Sequence, residues 1–493
     1  MIPKQIVIVG GGTAGWMAAT LMANRWSKHG ASITLVESSK IGTIGVGEGS
    51  TPFLRQFFQT LNISEKQWMA KCDATYKCGI AFPNWCNTNE AESYFHPFYG
   101  EIDSPLVKDF FNNCQYRREG FDIPTLPDDY FINAYLAQQN KSPKTTNLQY
   151  QGIDYGYHFD ADKLGSFLAS HAKKLGVKQI QDQVVDIKTN TLGIESIITQ
   201  QKGEISGDLF VDCSGLKGIL IQQTLKEELI DYQKYIPNNR AVAIGTNHKE
   251  PSKFGTYTLS KGLKNGWMWS IPLSSRIGNG YVYSSKYMSS EDAEKELREQ
   301  LNEYDAPARH IKWSPGRISQ HWKQNCLALG LSQGFLEPLE APMLNLVQQT
   351  CESFIEFCEK PHDLVNNQQK FNQVINRLID GTRDYLQAHY LLNSRSDSQY
   401  WIDNRNNTDM SSTLMAIVSG WKSQGSFDTA LATISDNLVY GKTSWYCILS
   451  GMNYYHTPTK GSLRLAVKKH HNAKLRCQHI AVNFPIQVAS KQN

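Results

Sequence analysis

The sequence predicts an α/β protein: parallel strands with helices packed on them, followed by a mostly helical C-terminal region. Three observations predict it. Gln5–Val9 (QIVIV) is a short apolar run of the kind buried on both faces of a parallel sheet. The turn Gly10-Gly11-Gly12-Thr13-Ala14-Gly15 follows it directly, and a second apolar run over residues 33–36 ends at Glu37. After about residue 343 the texture changes, with helical spacing replacing strand signals.

Between the two runs, residues 13–28 read as a helix and Gly30 as its stop. A glycine turn set between a strand and a helix, with a second strand ending in an acid, is the Rossmann-like dinucleotide-binding context. Gly10 permits the tight turn, Gly12 lets backbone approach a pyrophosphate, and Gly15 lets the helix pack on the strand. Thr13 and Ala14 open that helix, whose N-terminus faces phosphate charge. Glu37 stands where a carboxylate accepts the adenosine ribose hydroxyls. Residues 42–52 (GTIGVGEGSTP) form a glycine-rich loop that can bring backbone close to a ligand.

Farther along, residues 160–175 read as a helix capped by Asp160 and closed by Gly176, with Leu164, Phe167, Leu168, His171, Ala172 and Leu175 on one face. Residues 183–188 and 208–213 read as strands. The second of these enters a Ser214-Gly215 turn like those that FAD proteins place against the cofactor. Residues 327–329 form another short apolar run. These dispersed segments suggest one discontinuous cofactor module over residues 1–343 with substrate-pocket insertions. Residues 344–493 then form a mostly helical substrate-binding or capping region. Within it, residues 344–359 and 367–391 have helical spacing, 394–408 read as a polar loop, and 428–438 and 444–452 as further helices.

Composition narrows the class. The 493 residues suffice for a large core and two lobes, and 40% apolar with 19% charged residues is ordinary for a globular enzyme. A net charge of +4 implies no nucleic-acid partner, and the basic stretch 460–476 reads as solvated surface. Ten cysteines occur without a Cys-x-x-Cys pair, so no metal site is expected. A first strand at residue 5 leaves no room for a signal peptide, and no apolar run is long enough to span a bilayer. A cytoplasmic protein with reduced thiols and no membrane partner is the expectation.

The second informative motif is Trp267-Met268-Trp269-Ser270-Ile271-Pro272. Together with the glycine turn, Gly45-Val46-Gly47-Glu48, Thr75-Tyr76-Lys77-Cys78-Gly79-Ile80, His96-Pro97-Phe98 and Gly334-Phe335-Leu336-Glu337-Pro338-Leu339-Glu340, it resembles the flavin-dependent halogenases of the tryptophan halogenase family. The resemblance covers most of residues 1–350 and is weaker beyond. It implies a Rossmann-like FAD-binding lobe, similar to single-component flavin monooxygenases, with a mostly helical C-terminal substrate lobe. It also implies FAD, supplied as FADH2 by a separate flavin reductase, together with O2, a halide ion and a small aromatic substrate. In such enzymes a flavin hydroperoxide oxidises halide to hypohalous acid, which a lysine then directs.

Residue by residue, the resemblance makes Lys77 that lysine and Glu340 its catalytic companion, with Glu337 assigned a structural role. A lone lysine is ordinarily solvated surface; this one sits among Tyr76, Cys78 and Ile80. Gly47, Glu48, Gly334 and Leu336 fall at the cofactor, Trp267 and Trp269 at the flavin-pocket wall, and His96 and Phe98 at the aromatic substrate. The chain departs from the pattern after Glu340, where Ala341-Pro342-Met343 stands in place of Ser-Thr-Gly. Pro342 and Met343 then fall at the halide, and Pro342 has no N–H to offer it. Tyr440 stands near the place of a substrate-sandwiching tryptophan, so an indole other than free tryptophan, or a phenol, suits the chain as well. A flavin aromatic hydroxylase and a non-catalytic FAD-binding protein are the alternatives, and a homo-oligomer is compatible with all three readings. The hydroxylase is disfavoured because Gly330-Leu331 stands where it would carry Gly-Asp.

Overall fold

The strand Gln5–Val9 lies inside a six-stranded sheet ordered Trp322–Lys323, Cys326–Ala328, Leu209–Asp212, Gln5–Val9, Ser32–Glu37, Lys178–Gln181. The computed structural model of the chain describes residues 2–39, 42, 47–88, 91–250, 254–360 and 363–488, without the side chains of 88, 91 and 92. All neighbours in this sheet run parallel except the hairpin that adds Trp322–Lys323 at one edge. Burial on both faces explains the unbroken apolar run. Ile6, Ile8, Ile33 and Leu35 pack into the main core with the helix Thr13–Trp26, while Val7, Val9, Val36 and Phe210 pack against Ile194 and Ile197 on the other side.

The expected elements of this lobe form with small changes at their ends. The first helix is Thr13–Trp26, extended by a 3-10 turn to His29, and Gly30 closes it at φ 82°. The helix Ala161–Lys174 is capped by Asp160, whose carboxylate accepts from the N–H groups of Asp162 and Lys163. The strand Val184–Asn190 belongs to a separate three-stranded antiparallel sheet with Gly193–Thr199 and Gly203–Ser206.

A seven-stranded sheet carries the Trp-x-Trp motif. Its order is Ala308–Lys312, Arg240–Thr246, Ile277–Tyr283, Gly266–Pro272, Tyr257–Leu263, Gly79–Thr88, Ala91–Pro97. Alternation along Gly266–Pro272 sends Trp267 and Trp269 to one face and Met268 to the other, where it packs with Tyr281 and Tyr283. A small sheet of Glu48–Gly49, Gly156–Phe159 and Thr75–Lys77 places the lysine-bearing strand beside it.

Beyond Pro342, apart from isolated bridges at Lys460 and Ile486, the described secondary structure is helical, with the α-helices Met343–Glu359, Leu364–Leu391, Gln399–Arg405, Ser412–Lys422, Phe427–Ala432, Lys442–Gly451 and Arg464–Ala481. Helices Ser104–Arg118 and Ile132–Gln138 from the first half pack against Arg464–Ala481. Two expectations change here. Residues 394–408 are not all loop, because Gln399–Arg405 buries Tyr400, Trp401 and Asn404 on one side and Trp401 Nε1 donates to the Leu263 carbonyl at 2.8 Å. The basic stretch 460–476 is not simply solvated. Ala466 and Ala473 are buried, and Lys469, His470 and Lys474 pair with Asp109 or Asp129, leaving Lys468 and His471 exposed. Among the described residues, no disulfide forms, no cluster of three or more His, Cys, Asp or Glu suits a metal ion, and no helix is long and apolar enough to cross a membrane.

Candidate active site

The glycine turn opens onto a cavity of about 790 Å³ that also reaches Lys77 and Glu340. At the glycine-turn end, Gly10 has φ 116°, and a Cβ there would sit 2.1 Å from the Cys213 carbonyl oxygen. A Cβ on Gly15 would sit 1.9 Å from the Gly10 carbonyl oxygen, so this glycine brings the helix onto the turn and does not line the cavity. Gly12 differs: a Cβ there would meet nothing, because its surroundings are the open cavity. The helix Thr13–Trp26 starts at Gly12 with no side-chain cap, which leaves its first N–H groups for a ligand. Thr13, Ala14 and Glu37 line the same space, and Gln179 hydrogen-bonds the Glu37 carboxylate. An uncapped helix end, an open cradle at Gly12 and a strand-end acid fit the pyrophosphate and ribose of FAD.

Gly45 and Val46 lie outside the described residues; Gly47 and Glu48 line the cavity. Gly47 has φ 106°, a conformation that favours glycine. Burial, with Asp160 adding to it, pushes the Glu48 carboxyl up to about 7. Trp267 and Trp269 form a wall with ring centroids 6.3 Å apart. The Trp269 ring lies over Gly280 on the next strand, where any Cβ would come within 2.1 Å of it.

Lys77 is fully buried, and its Nζ has no hydrogen-bond partner among the described residues. It sits opposite Gly156 across the small sheet, with Nζ 5.3 Å from the centre of the Phe98 ring. Burial pushes its ammonium down to about 8, against the pull of Glu340. Glu340 is also buried, in a left-handed conformation (φ 66°) shared by Ala341 (φ 54°). Its Oε1 lies 3.0 Å from His389 Nε2 and its Oε2 3.4 Å from His96 Nδ1. Burial pushes the Glu340 carboxyl up, but the two histidines overcome it and hold it well below the usual carboxylate range.

Other site residues fall one layer back. Gly334 and Leu336 do not line the cavity; Phe335 between them does. Gly334 pairs closely with Arg317, and the Leu336 carbonyl accepts from Trp313 Nε1 at 2.8 Å. His96 and Tyr440 also stand behind the cavity wall. His96 Nε2 meets the Tyr385 hydroxyl at 3.1 Å, and Tyr440 stacks on Tyr385 with ring centroids 3.8 Å apart. Glu337 is held by Tyr390 and Asn238, with burial raising its carboxyl to about 7, as suits a structural acid.

Pro342 and Met343 line the cavity at the start of the helix Met343–Glu359. The Ala341 N–H is already bonded to the Pro338 carbonyl at 3.0 Å. The donors left at this turn are therefore the first N–H groups of the helix, from Met343 onward.

The sequence reading missed Tyr385, His389, His158, Thr258 and Gln487. Tyr385 and His389 are four apart on one helix, a spacing that does signal a shared face. Gln487 carried no signal. It lies 411 residues from Tyr76, yet its Oε1 accepts the Tyr76 N–H at 2.8 Å and its Nε2 donates to the Gly255 carbonyl at 3.0 Å, pinning the edge of the lysine strand.

A family model described as tryptophan halogenase matches residues 5–466. Tryptophan 6-halogenase SttH of Streptomyces toxytricini is 36% identical over 445 residues, covering 86% of this chain and 84% of that one. Tryptophan 7-halogenase RebH of Lentzea aerocolonigenes is 32% identical over 500 residues, covering 94% and 91%. Among solved structures, the flavin-dependent halogenase BrvH from Brevundimonas sp. BAL3 superposes with a TM-score of 0.85 at 28% identity, covering 98% of this chain and 97% of that one.

Proposed function

The chain belongs to the tryptophan halogenase family, and on that premise we propose that it halogenates an electron-rich ring, an indole, phenol or similar arene, with hypohalous acid guided by Lys77. When bound, reduced FAD, delivered by a separate flavin reductase, supplies with O2 the oxidising power that turns halide into hypohalous acid. The observation that carries this reading is the single cavity linking the glycine turn and Glu37 to a buried, unbonded Lys77 ammonium.

Each residue then has a task. Residues 10–14 receive the phosphates and Glu37 the ribose, while Gly47, Glu48, Trp267, Trp269 and Phe335 wall the ring end and keep out water. Pro342 and the N–H of Met343 border the halide. The Lys77 ammonium donates a hydrogen bond to hypohalous acid, polarising it and holding it near the substrate, which offsets its tendency to react indiscriminately.

Glu340 stabilises the positive charge that develops on the ring and accepts its proton. The Tyr385 hydroxyl donates to the Ser444 carbonyl (3.2 Å), so it accepts from His96 Nε2–H. His96 Nδ1 then lies 3.4 Å from Glu340 Oε2, where it shares in handling that proton. Phe98, beside the Lys77 ammonium, and Tyr440, stacked on Tyr385, back the wall on the arene side.

The test is a panel of arenes with bromide, O2, FAD and an added flavin reductase, read by mass spectrometry. A brominated product is expected from the unaltered protein and none from Lys77→Ala, which should still bind flavin. Regioselective bromination by Lys77→Ala would overturn the assignment.

A further inference from the structure

Met343 opens the helix Met343–Glu359 directly after Pro342, and it stands where the family pattern has glycine. It is half-buried: it packs against the main core and also lines the cavity that holds Lys77 and Glu340. The lysine is close to this turn. Lys77 Nζ and the Ala341 methyl stand 3.3 and 3.7 Å from the point where a Cβ on Gly49 would sit.

Among the described residues, two that carry sulfur line the cavity, Met343 and Cys213. Cys213 stands at the glycine-turn end, its Cβ 3.5 Å from where a Gly15 Cβ would sit. Burial pushes its thiol well above the ordinary value, so it is not a thiolate nucleophile. A thioether needs no deprotonation: its sulfur lone pairs are nucleophilic at any pH. An ammonium has no lone pair, so a charged Lys77 holds hypohalous acid without consuming it. Met343 is the side chain on this wall best suited to consume it.

We propose that Met343 is a modification site: hypohalous acid that forms in the cavity and meets no arene oxidises its thioether to the sulfoxide. The inference rests on the halogenase reading above. The sulfur attacks the halogen, an S–X bond forms and hydroxide leaves. Water then adds to the sulfur, the S–X bond breaks and halide departs. In sum, thioether and hypohalous acid give sulfoxide, halide and one proton. Sulfur loses two electrons and the halogen takes them. Trp267 and Trp269 line the same cavity, and indoles react with this oxidant more slowly than thioethers, so Met343 spares the flavin-pocket wall.

The experiment reads the sulfur directly. The full-length protein is given FAD, a flavin reductase, O2, catalase and bromide but no arene, and its methionine sulfoxides are followed by peptide mass spectrometry. Met415, 49% exposed, reports oxidant that reaches bulk solvent. Met343 should be oxidised ahead of Met415, and at least about tenfold more than with bromide omitted, because the oxidant is made beside it. Hypobromite added to the resting protein should reverse that order, since Met415 is the more exposed. An accepted arene should lower the Met343 sulfoxide as brominated product appears. In Met343→Leu, which keeps the N–H and the apolar bulk, oxidation should move to Trp267 or Trp269. If that variant fails to fold, the reactions of the unaltered protein decide. Met343 sulfoxide that does not need bromide, Met415 oxidised first during turnover, or folded Met343→Leu with no added tryptophan oxidation overturns the inference. Arene bromination with Met343 intact in the arene-free reaction overturns the inference alone. Failure of the functional reading shows separately, as regioselective bromination by Lys77→Ala.

Discussion

His389 Nε2 lies 3.0 Å from Glu340 Oε1, and a proton sits between them. His389 Nδ1 is 3.0 Å from the Tyr385 carbonyl, which can only accept, so Nδ1 carries its own hydrogen. Nε2 then faces a carboxylate, and two lone pairs cannot meet at that distance without a proton. Tyr385 thus orients both imidazoles around Glu340, His389 through its carbonyl and His96 through its hydroxyl.

Removing His389 should bring Glu340 into the working pH range. The Glu340 carboxyl is held low against burial by His96 and His389. In His389→Phe burial dominates, and the carboxyl rises. The sign follows: the ionised form, and with it activity, is lost as pH falls through a higher value. The acid limb of kcat should move up by about two pH units. A pH–rate profile measures it.

Lys77 should cost stability. Its folded value, about 8, lies below the unfolded 10.5, so folding penalises the ammonium fully below pH 8, and the penalty fades as pH rises from 8 to 10.5. Lys77→Met should stabilise the fold at pH 7 by ~3 kcal/mol while lowering halogenation by about 10²–10⁴-fold. Denaturant melts and product assays report the two effects. In the unaltered protein, kcat should decline above pH 8 as the ammonium is lost.

Two glycines in one turn should behave oppositely. Gly12→Val meets open space at φ −73°, so melting temperature should stay unchanged while FAD Kd rises at least about tenfold. Gly10→Ala meets the Cys213 carbonyl at φ 116° and should lose folded protein. Fluorescence titration with FAD and thermal melts separate them.

The turn at Pro342 should relax halide choice. With Pro342 offering no N–H and the Ala341 N–H bonded to Pro338, the site has fewer donors for a small, strongly hydrated ion. In competition assays bromide should outcompete chloride, and Pro342→Ser should shift the ratio toward chloride by about fivefold. Strict chloride preference would sink the idea.

Sequence and structure agree where the determinant is local. Gln5–Val9, the helix at Thr13 and Gly30 form as the apolar run and glycine positions require. The cap at Asp160 follows from its own side chain. Agreement weakens where the determinant is remote. Gln399–Arg405 reads as polar loop because what anchors its buried rings is remote: Tyr400 donates to Asn238 and Trp401 to the Leu263 carbonyl, 162 and 138 residues away. Gly334 and Leu336 belong to a motif at the site, yet cross-strand pairing turns Phe335 to the cavity instead.

By itself the sequence singled out the glycine turn, the helical texture beyond residue 343, and Lys77, Glu340, Trp267 and Trp269 as candidate residues, because each rests on local spacing or on a motif. Only the tertiary structure decided what surrounds the lysine and its glutamate. Thr75, His158 and Thr258 come from three strands, and His96, Tyr385 and His389 come from a strand and a helix hundreds of residues apart. Hydrogen-bond direction and burial depend on which atoms meet in space. No spacing along the chain encodes them, so the protonation of Lys77 and Glu340 could be read only once the fold had brought these groups together.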